Sequence, residues 1–196
     1  MGPCLPELWI LRHGETAWNV QGRLQGRLDS PLTGTGRAQA RTQREILGEI
    51  LENSRPEGVS ALSSPSGRAW RTAEIALAGL GVDLRAEPDL REIDIGRWAG
   101  RQIGEITATL PPEAARDPHL WKFTAPGGET LPEMVARLTG LLDRLEGPTV
   151  IVTHGVTSRV LRCLALGRPV EEMAKLPGGQ GVVHHLQGGA ARVIGA

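Results

Sequence analysis

The stretch Leu8-Trp9-Ile10-Leu11-Arg12-His13-Gly14-Glu15-Thr16 sets four apolar residues directly before an arginine, a histidine and a glycine. An apolar run this short, ended by a turn signal, reads as a buried strand over Leu8–Leu11. In open α/β sheets, ligands bind just beyond the carboxyl ends of the strands. Arg12 and His13 therefore fall where chemistry is expected. Gly14 permits a sharp turn and a close approach of ligand to backbone. A guanidinium beside an imidazole at such a point suits an anionic ligand, with phosphate foremost.

A second segment repeats the arrangement. Thr149-Val150-Ile151-Val152-Thr153 is a β-branched run, the mark of a strand buried on both faces, and His154-Gly155 follows it directly. If both strands are central and parallel, both imidazoles emerge on one rim. Outward from these two segments, apolar and amphipathic stretches alternate. Thr33–Leu51 reads as a helix with Ala38, Ile46, Leu47 and Ile50 inward, Val59–Leu62 as a strand, and Ser66–Leu80 as a helix. Val82–Ala86 reads as a short strand and Arg101–Leu110 as a helix. Thr130–Leu145 reads as a helix capped by Thr130, with Pro132 in its first turn. Val156–Leu166 reads as a helix, and Val182–Leu186 and Arg192–Ile194 as closing strands joined at Gly188-Gly189. Residues 14–32 read as a long loop over the site, and residues 111–128, rich in Pro and Gly, as an irregular lid. The alternation predicts an α/β protein, a three-layer α/β/α sandwich whose mostly parallel central sheet has an antiparallel edge. One domain is expected over residues 1–196, with a small lid or cap around 97–128.

Composition narrows the function classes. Lys+Arg and Asp+Glu are both 22, so the formal net charge is zero. Bulk binding to nucleic acid or an anionic membrane wants a basic surplus, so neither partner is expected, and any cationic site must be local. Arginine so outnumbers lysine (Lys122 and Lys175 alone) that coding bias explains it better than function. Cys4 and Cys163 are too few for a disulfide framework or a zinc motif, which points to a reducing compartment. The opening Met1–Pro6 has no signal-peptide pattern, and Pro6 occupies the position where a myristoylation signal wants Ser or Thr. No segment has the apolar length of a membrane span. The expectation is a cytoplasmic enzyme of small molecules, with homodimerisation left open.

Further residues fit one anion pocket. Asn19 and the Gln25-Gly26 pair offer amide donors, and Arg68 lies in the first turn of a helix, where oriented N–H groups add to its fork. Arg71 is expected to be solvated. Taken in order, Arg12-His13-Gly14-Glu15-Thr16, the stretch 22–40 with Pro31-Leu32-Thr33, Arg68-Ala69 before Thr72-Ala73, Leu90-Arg91-Glu92 before Gly96-Arg97-Trp98, Gly127-Gly128-Glu129-Thr130 and Thr153-His154-Gly155 resemble the histidine phosphatase superfamily, the phosphoglycerate mutase-like group. The resemblance spans about residues 7 to 190 and implies the phosphoglycerate mutase-like fold. It implies His13 as the nucleophile that becomes phosphohistidine, with Arg12, Arg68 and His154 holding the phosphoryl oxygens. It implies Asn19 as a further phosphate ligand, Gln25 as a donor near the substrate and Glu92 as the general acid/base, with Gly26 and Gly155 lining the site. Ala99 departs from the Glu common at that position, which affects loop packing rather than proton donation.

This set is chemically sufficient. A neutral imidazole is a competent nucleophile near pH 7, and phosphoryl transfer needs mostly positioning and charge stabilisation. Arg12, Arg68 and His154 are expected to supply positive charge, so neither metal nor other cofactor is required. Glu92, desolvated and near an incoming dianion, is expected to have a raised pKa. Asp94 reads as a loop carboxylate. Glu15 reads as structural, holding Arg12 or a loop amide. His184 and His185 point to opposite strand faces and make no metal site. His119 in the lid is expected to be exposed. A mutase needs extra cationic contacts for a doubly charged acid, and the 92–154 interval carries Arg97, Arg101, Arg116, Lys122, Arg137 and Arg144 without an adjacent basic pair. The reading favours hydrolysis of a small phosphomonoester, with mutase-type transfer and a non-catalytic phosphoryl-binding protein as alternatives.

Overall fold

The computed structural model describes residues 5–54 and 56–195, so the readings that rest on Met1–Cys4 lie outside the described residues. In chain order the elements are β1 (Leu8–Arg12), α1 (Ala17–Val20), α2 (Gly34–Ser54), β2 (Ser60–Ser63), α3 (Gly67–Ala76) and β3 (Asp83–Ala86). They continue with α4 (Ile103–Thr107), α5 (Pro112–Ala115), α6 (Leu131–Asp143), β4 (Thr149–Thr153), α7 (Gly155–Ala165), β5 (Val183–Gln187) and β6 (Ala190–Ile194). The strands form one sheet in the order β3-β2-β4-β1-β5-β6. The first four run parallel, β5 is antiparallel to β1, and β6 is antiparallel to β5.

Two-residue periodicity divides the core between the sheet faces. Leu8, Ile10, Ile151 and Leu186 pack with Met134 and Leu138 of α6 and Val160 and Leu161 of α7. Trp9, Leu11, Val150, Val152 and Val183 pack with Leu47 of α2 and Ala69, Ala73 and Ala76 of α3. β4 is buried along its whole length, as its β-branched composition requires. Each fully buried aliphatic side chain contributes about 1.5–3 kcal/mol. The result is the expected three-layer α/β/α sandwich with a mostly parallel sheet and an antiparallel edge. No helix among the described residues is long and apolar enough to cross a membrane.

Three segments differ from the sequence expectation. The 14–32 loop contains α1, started by a capping box in which the Thr16 hydroxyl accepts the Asn19 N–H and the Asn19 side chain accepts the Thr16 N–H. The helix expected over Arg101–Leu110 is only Ile103–Thr107, because Gly100 and Arg101 exchange backbone bonds with Leu24 and Arg23 bridges to Gln102. The lid segment is not wholly irregular: it holds α5 and a 3₁₀ turn over Leu120–Thr124. The cap of α6 is as read, a Thr130–Glu133 capping box with Pro132 in the first turn.

Candidate active site

The parallel register that sets Arg12 opposite Thr153 brings the next residues, His13 and His154, side by side. Their rings stand edge to face with centroids 5.2 Å apart. The His13 N–H donates to the Thr153 carbonyl at 2.9 Å, and the Gln180 amide donates to the His13 carbonyl at 3.0 Å. His13 Nδ1 lies 2.8 Å from the Gly14 carbonyl. A carbonyl only accepts, so Nδ1 carries the proton and Nε2 keeps its lone pair. Burial, then the neighbouring His154, Arg12 and Arg68, hold the His13 pKa well below its ordinary value. The ring is thus neutral and in a defined tautomer, with the Nε2 lone pair free.

Two guanidinium groups flank it. Arg12 is half-buried, with its buried Nε unpaired, and a Cβ on Gly155 would stand 3.5 Å from Arg12 Cζ and Nε. That is ordinary van der Waals contact, so the guanidinium lies beside Gly155 without requiring a glycine there. Arg68 is 2% exposed; its Nη1 donates to the Leu28 carbonyl at 2.7 Å and to Asp29 Oδ1 at 3.0 Å, and its Nη2 donates to the Gly26 carbonyl at 2.8 Å. Arg68 Nε has no protein partner. The expected amide donor at the start of α3 is not free: the Arg68 N–H donates to Asp29 Oδ1 at 3.1 Å, while Ser66 makes no side-chain cap. Gly67 leaves the room for this, since a Cβ there would meet Asp29 Oδ2 at 2.3 Å.

The amide side chains divide. Asn19 Oδ1 accepts from the Thr16 N–H at 3.1 Å and from Gln180 at 3.4 Å, which leaves the Asn19 NH₂ for a ligand in the cavity it lines. Gln25 lines the same cavity and spends one of its two Nε2 hydrogens on Thr16 Oγ1 at 2.9 Å, while its acceptor Oε1 is unpaired. Gly26, at φ +54°, lines the cavity and gives its carbonyl to Arg68.

His154 is fully buried, with Nε2 2.8 Å from Ser64 Oγ and Nδ1 unpaired. Burial, then Arg68 and Arg12, push its pKa well below the ordinary value. The expected positive charge is therefore corrected to a neutral ring, because full burial strips the charged form of water and two nearby guanidinium groups add to the cost of a third cation.

Glu92 is also corrected. Burial alone raises its pKa, but the Thr157 and Val156 amides, the Arg68 charge and the Ile93 amide outweigh burial and leave it below the ordinary carboxylate value. The ligand-free carboxylate is ionised, seated on the N-terminus of α7. Its oxygens are unequal. Oε1 accepts from the Ile93 and Thr157 amides at 3.1 Å and lies 2.9 Å from the Thr157 hydroxyl, whose one hydrogen it shares with the Arg91 carbonyl at 2.8 Å, whereas Oε2 accepts only from the Val156 amide at 3.2 Å. Oε2 is the oxygen with capacity to carry a proton.

Arg12, His13, Asn19, Gln25, Gly26, Arg68, Glu92 and Lys122 line one cavity of about 130 Å³, with Leu24, Ile95 and Ile103 among its apolar walls; His154, packed against the His13 ring, and Gly155 are not among its lining residues. Burial lowers the Lys122 pKa to about 8, with Glu92 opposing and Arg12 and Arg159 adding to the fall. The remaining polar residues lie as read, with two exceptions. Glu15 bonds the Thr33 hydroxyl at 2.7 Å rather than Arg12, and His119 is half-buried, 3.3 Å from Lys122 Nζ. Asp94 takes the Gly96 amide and pairs with Arg27, Arg71 pairs with Glu74 on the surface, and His184 and His185 separate toward Arg162 and Glu7. Sequence reasoning missed Asp29, Ser64, Thr157 and Gln180. Thr157 alone had a local signal, standing in the first turn of the helix that follows His154.

Residues 8–192 match the profile of the histidine phosphatase superfamily (branch 1). The chain is 35% identical over 173 residues to the probable phosphoglycerate mutase GpmB of Salmonella paratyphi B, a match covering 83% of this chain and 76% of that one. Its structure is similar to that of mycobacterial glucosyl-3-phosphoglycerate phosphatase, with a TM-score of 0.77, 33% identity and 96% of each chain covered. It is also similar to YhfR of Bacillus stearothermophilus, with a TM-score of 0.75, 34% identity, and 96% and 95% of the two chains covered. The two strand-end histidines, the paired arginines and the matched profile agree: the chain belongs to the histidine phosphatase superfamily (branch 1).

Proposed function

We propose that this protein is a metal-independent phosphomonoesterase that works through a phosphohistidine on His13. The observation that carries the reading is the His13 tautomer: Nδ1–H is spent on the Gly14 carbonyl, and the bare Nε2 shares a cavity with Arg12 and Arg68, each with an unpaired buried Nε–H. In the first step Nε2 attacks phosphorus, the bond to the ester oxygen breaks, and Glu92 Oε2 delivers a proton to the leaving oxygen. In the second step Glu92 takes a proton from water, the hydroxide attacks phosphorus, and the N–P bond breaks, releasing phosphate. Arg12, Arg68, Asn19 and neutral His154 hold the phosphoryl oxygens, and the last three are held by hydrogen bonds before substrate arrives. No step requires a metal.

The ionised state of Glu92 specifies where the acid proton originates. A phosphomonoester monoanion, with a second pKa near about 6, brings the proton with it and passes it to Glu92 as the dianion forms beside the carboxylate.

Hydrolysis is favoured over mutase-type transfer by the lid. Of the six cations between Glu92 and His154, Lys122 is the one that lines the cavity. Arg137 is tied to Glu129 at 2.6 Å and Arg144 to Asp89 at 2.9 Å. Relatives carry both names, a probable phosphoglycerate mutase and a glucosyl-3-phosphoglycerate phosphatase. The segment around 97–128, which supplies Ile103 and Lys122, acts as the lid of a single domain, over a small phosphorylated metabolite held between it and the sheet.

The test is p-nitrophenyl phosphate turnover with excess chelator, beside acid-labile versus base-stable trapping of the phosphoenzyme. Chelator-resistant release of nitrophenol and phosphate, with a base-stable phosphoenzyme lost in His13→Ala, is expected. Phosphate binding without turnover of any ester would instead support a binding module. Transfer of phosphate to a second hydroxyl without release would support a mutase.

A further inference from the structure

The neutral His154 ring has two tautomers, and only one can serve an anion. With the proton on Nδ1 the ring offers a donor to a phosphoryl oxygen. With the proton on Nε2 it presents a lone pair from Nδ1, which is buried and has no protein partner. The choice is made at Nε2, whose one polar neighbour is the Ser64 hydroxyl at 2.8 Å.

Ser64 is itself held in place. It follows β2, and its N–H donates to the Val152 carbonyl of β4 at 3.0 Å, so its backbone is tied to the strand that ends in His154. Its Oγ accepts the Ser66 N–H at 3.3 Å, which occupies a lone pair and leaves its single hydrogen to give. Two acceptors compete for that hydrogen, His154 Nε2 at 2.8 Å and the Ser66 hydroxyl at 3.2 Å. The shorter contact, to an imidazole nitrogen of greater basicity, takes it. We propose that Ser64 is a positioning residue: its hydroxyl donates to His154 Nε2 and so fixes the ring in the tautomer whose Nδ1–H is offered to the phosphoryl group. The inference rests on the phosphatase reading above for what the donor does, but not for which nitrogen carries the proton. It assigns the two active-site rings a shared design. Both carry the proton on Nδ1, His13 because it donates to a carbonyl and His154 because it accepts from a hydroxyl, so one is a nucleophile and the other a neutral donor.

Long-range ¹⁵N–¹H correlation of the imidazole nitrogens in the intact protein at pH 7.5, assigned with a His154→Gln control, reads the tautomer directly. The expected result is a protonated Nδ1 and an unprotonated Nε2 for His154 in the wild type, and a mixture of tautomers in Ser64→Ala. A wild-type ring protonated at Nε2, with the Ser64 hydrogen turned to Ser66, overturns the proposal without touching the phosphatase reading, which nitrophenyl phosphate turnover tests separately. In kinetics, Ser64→Ala is expected to lower kcat by roughly tenfold to a hundredfold, below the full loss of an oxyanion donor, with KM little changed and activity restored in Ser64→Thr. Equal kcat in Ser64→Ala and wild type, with the fold intact by amide spectrum, also overturns it. If Ser64→Ala does not fold, the wild-type spectrum and Ser64→Thr still decide.

Discussion

In the proposed reaction a single side chain, Glu92, serves two half-reactions. Two amides and a shared hydroxyl hydrogen on Oε1 fix the carboxylate, and one long contact on Oε2 leaves that oxygen able to gain and lose a proton. Because the free carboxylate is held ionised, protonation has to follow phosphate binding, and the pH dependence belongs to the complex as much as to the residue. Two outcomes are expected. For alkyl phosphates, kcat/KM falls as pH rises above the second pKa of the substrate, since the dianion no longer delivers a proton. Glu92→Gln loses about 10²–10⁴ in kcat on alkyl phosphates, the usual worth of a general acid, but far less on nitrophenyl phosphate, whose leaving group departs without a proton. Equal losses on both substrates, measured at one pH, would remove Glu92 from the proton path. The same residue marks the limit of sequence reading. Its position was legible from Leu90-Arg91-Glu92, but its charge state was not, because the amides that set it come from the start of α7, more than sixty positions away.

At the scale of elements, the ends of β1 and β4 were readable because a strand followed by His-Gly is a local pattern, and the parallel register does the rest. What joins those ends to the helices was not readable. Gly14 and Gly36 pack backbone against backbone: a Cβ on Gly36 would lie 2.0 Å from the Glu15 carbonyl oxygen, and one on Gly14 would lie 2.2 Å from the Gly36 carbonyl oxygen. α2 thus presses directly on the turn that carries His13, a contact only two glycines allow. Asp29, Ser64 and Gln180 reach Arg68, His154 and His13 in the same nonlocal way, across 39, 90 and 167 positions, with no pattern in their own neighbourhoods to mark them. Gly36→Ala is expected to destabilise by about 1–3 kcal/mol, the usual cost of overpacking. It is also expected to lower kcat, because the displaced carbonyl of Gly14 orients His13. Gly34→Ala, two residues earlier with nothing within 4 Å of the added Cβ, is the control and is expected to be neutral or slightly stabilising. Urea midpoints and nitrophenyl phosphate turnover of the two variants check this, and matching behaviour would show that the close approach has no bearing on the site.

Over the whole molecule, the zero formal net charge hides an uneven distribution, with Arg12 and Arg68 gathered at the cavity and the His13 and His154 rings held neutral by burial and then by those cations. Burial first, and then neighbouring cations, lower the pKa of His13 and His154 far below the ordinary value, of His119 to about 4 and of His184 to about 3. In the unfolded chain the same rings titrate near about 6.5. Between these limits the unfolded state binds more protons than the native state, so stability rises with pH and is lost as pH falls below about 6.5. The depressed Glu92 acts in the same direction at lower pH, since its contribution is present above the unfolded carboxylate pKa and lost as pH falls through the folded one. The expected result is a urea midpoint that holds from pH 8 to 7 and drops steadily from pH 6.5 to 4.5. An anion that binds only the native site raises stability by mass action, so phosphate should lift the midpoint at pH 7, and His13→Ala, which keeps Arg12 and Arg68, should retain most of that lift. A midpoint indifferent to pH between 7 and 5 would mean that the rings are not held neutral in the folded state, and with that the assignment of His13 as an uncharged nucleophile and His154 as an uncharged donor would fall together.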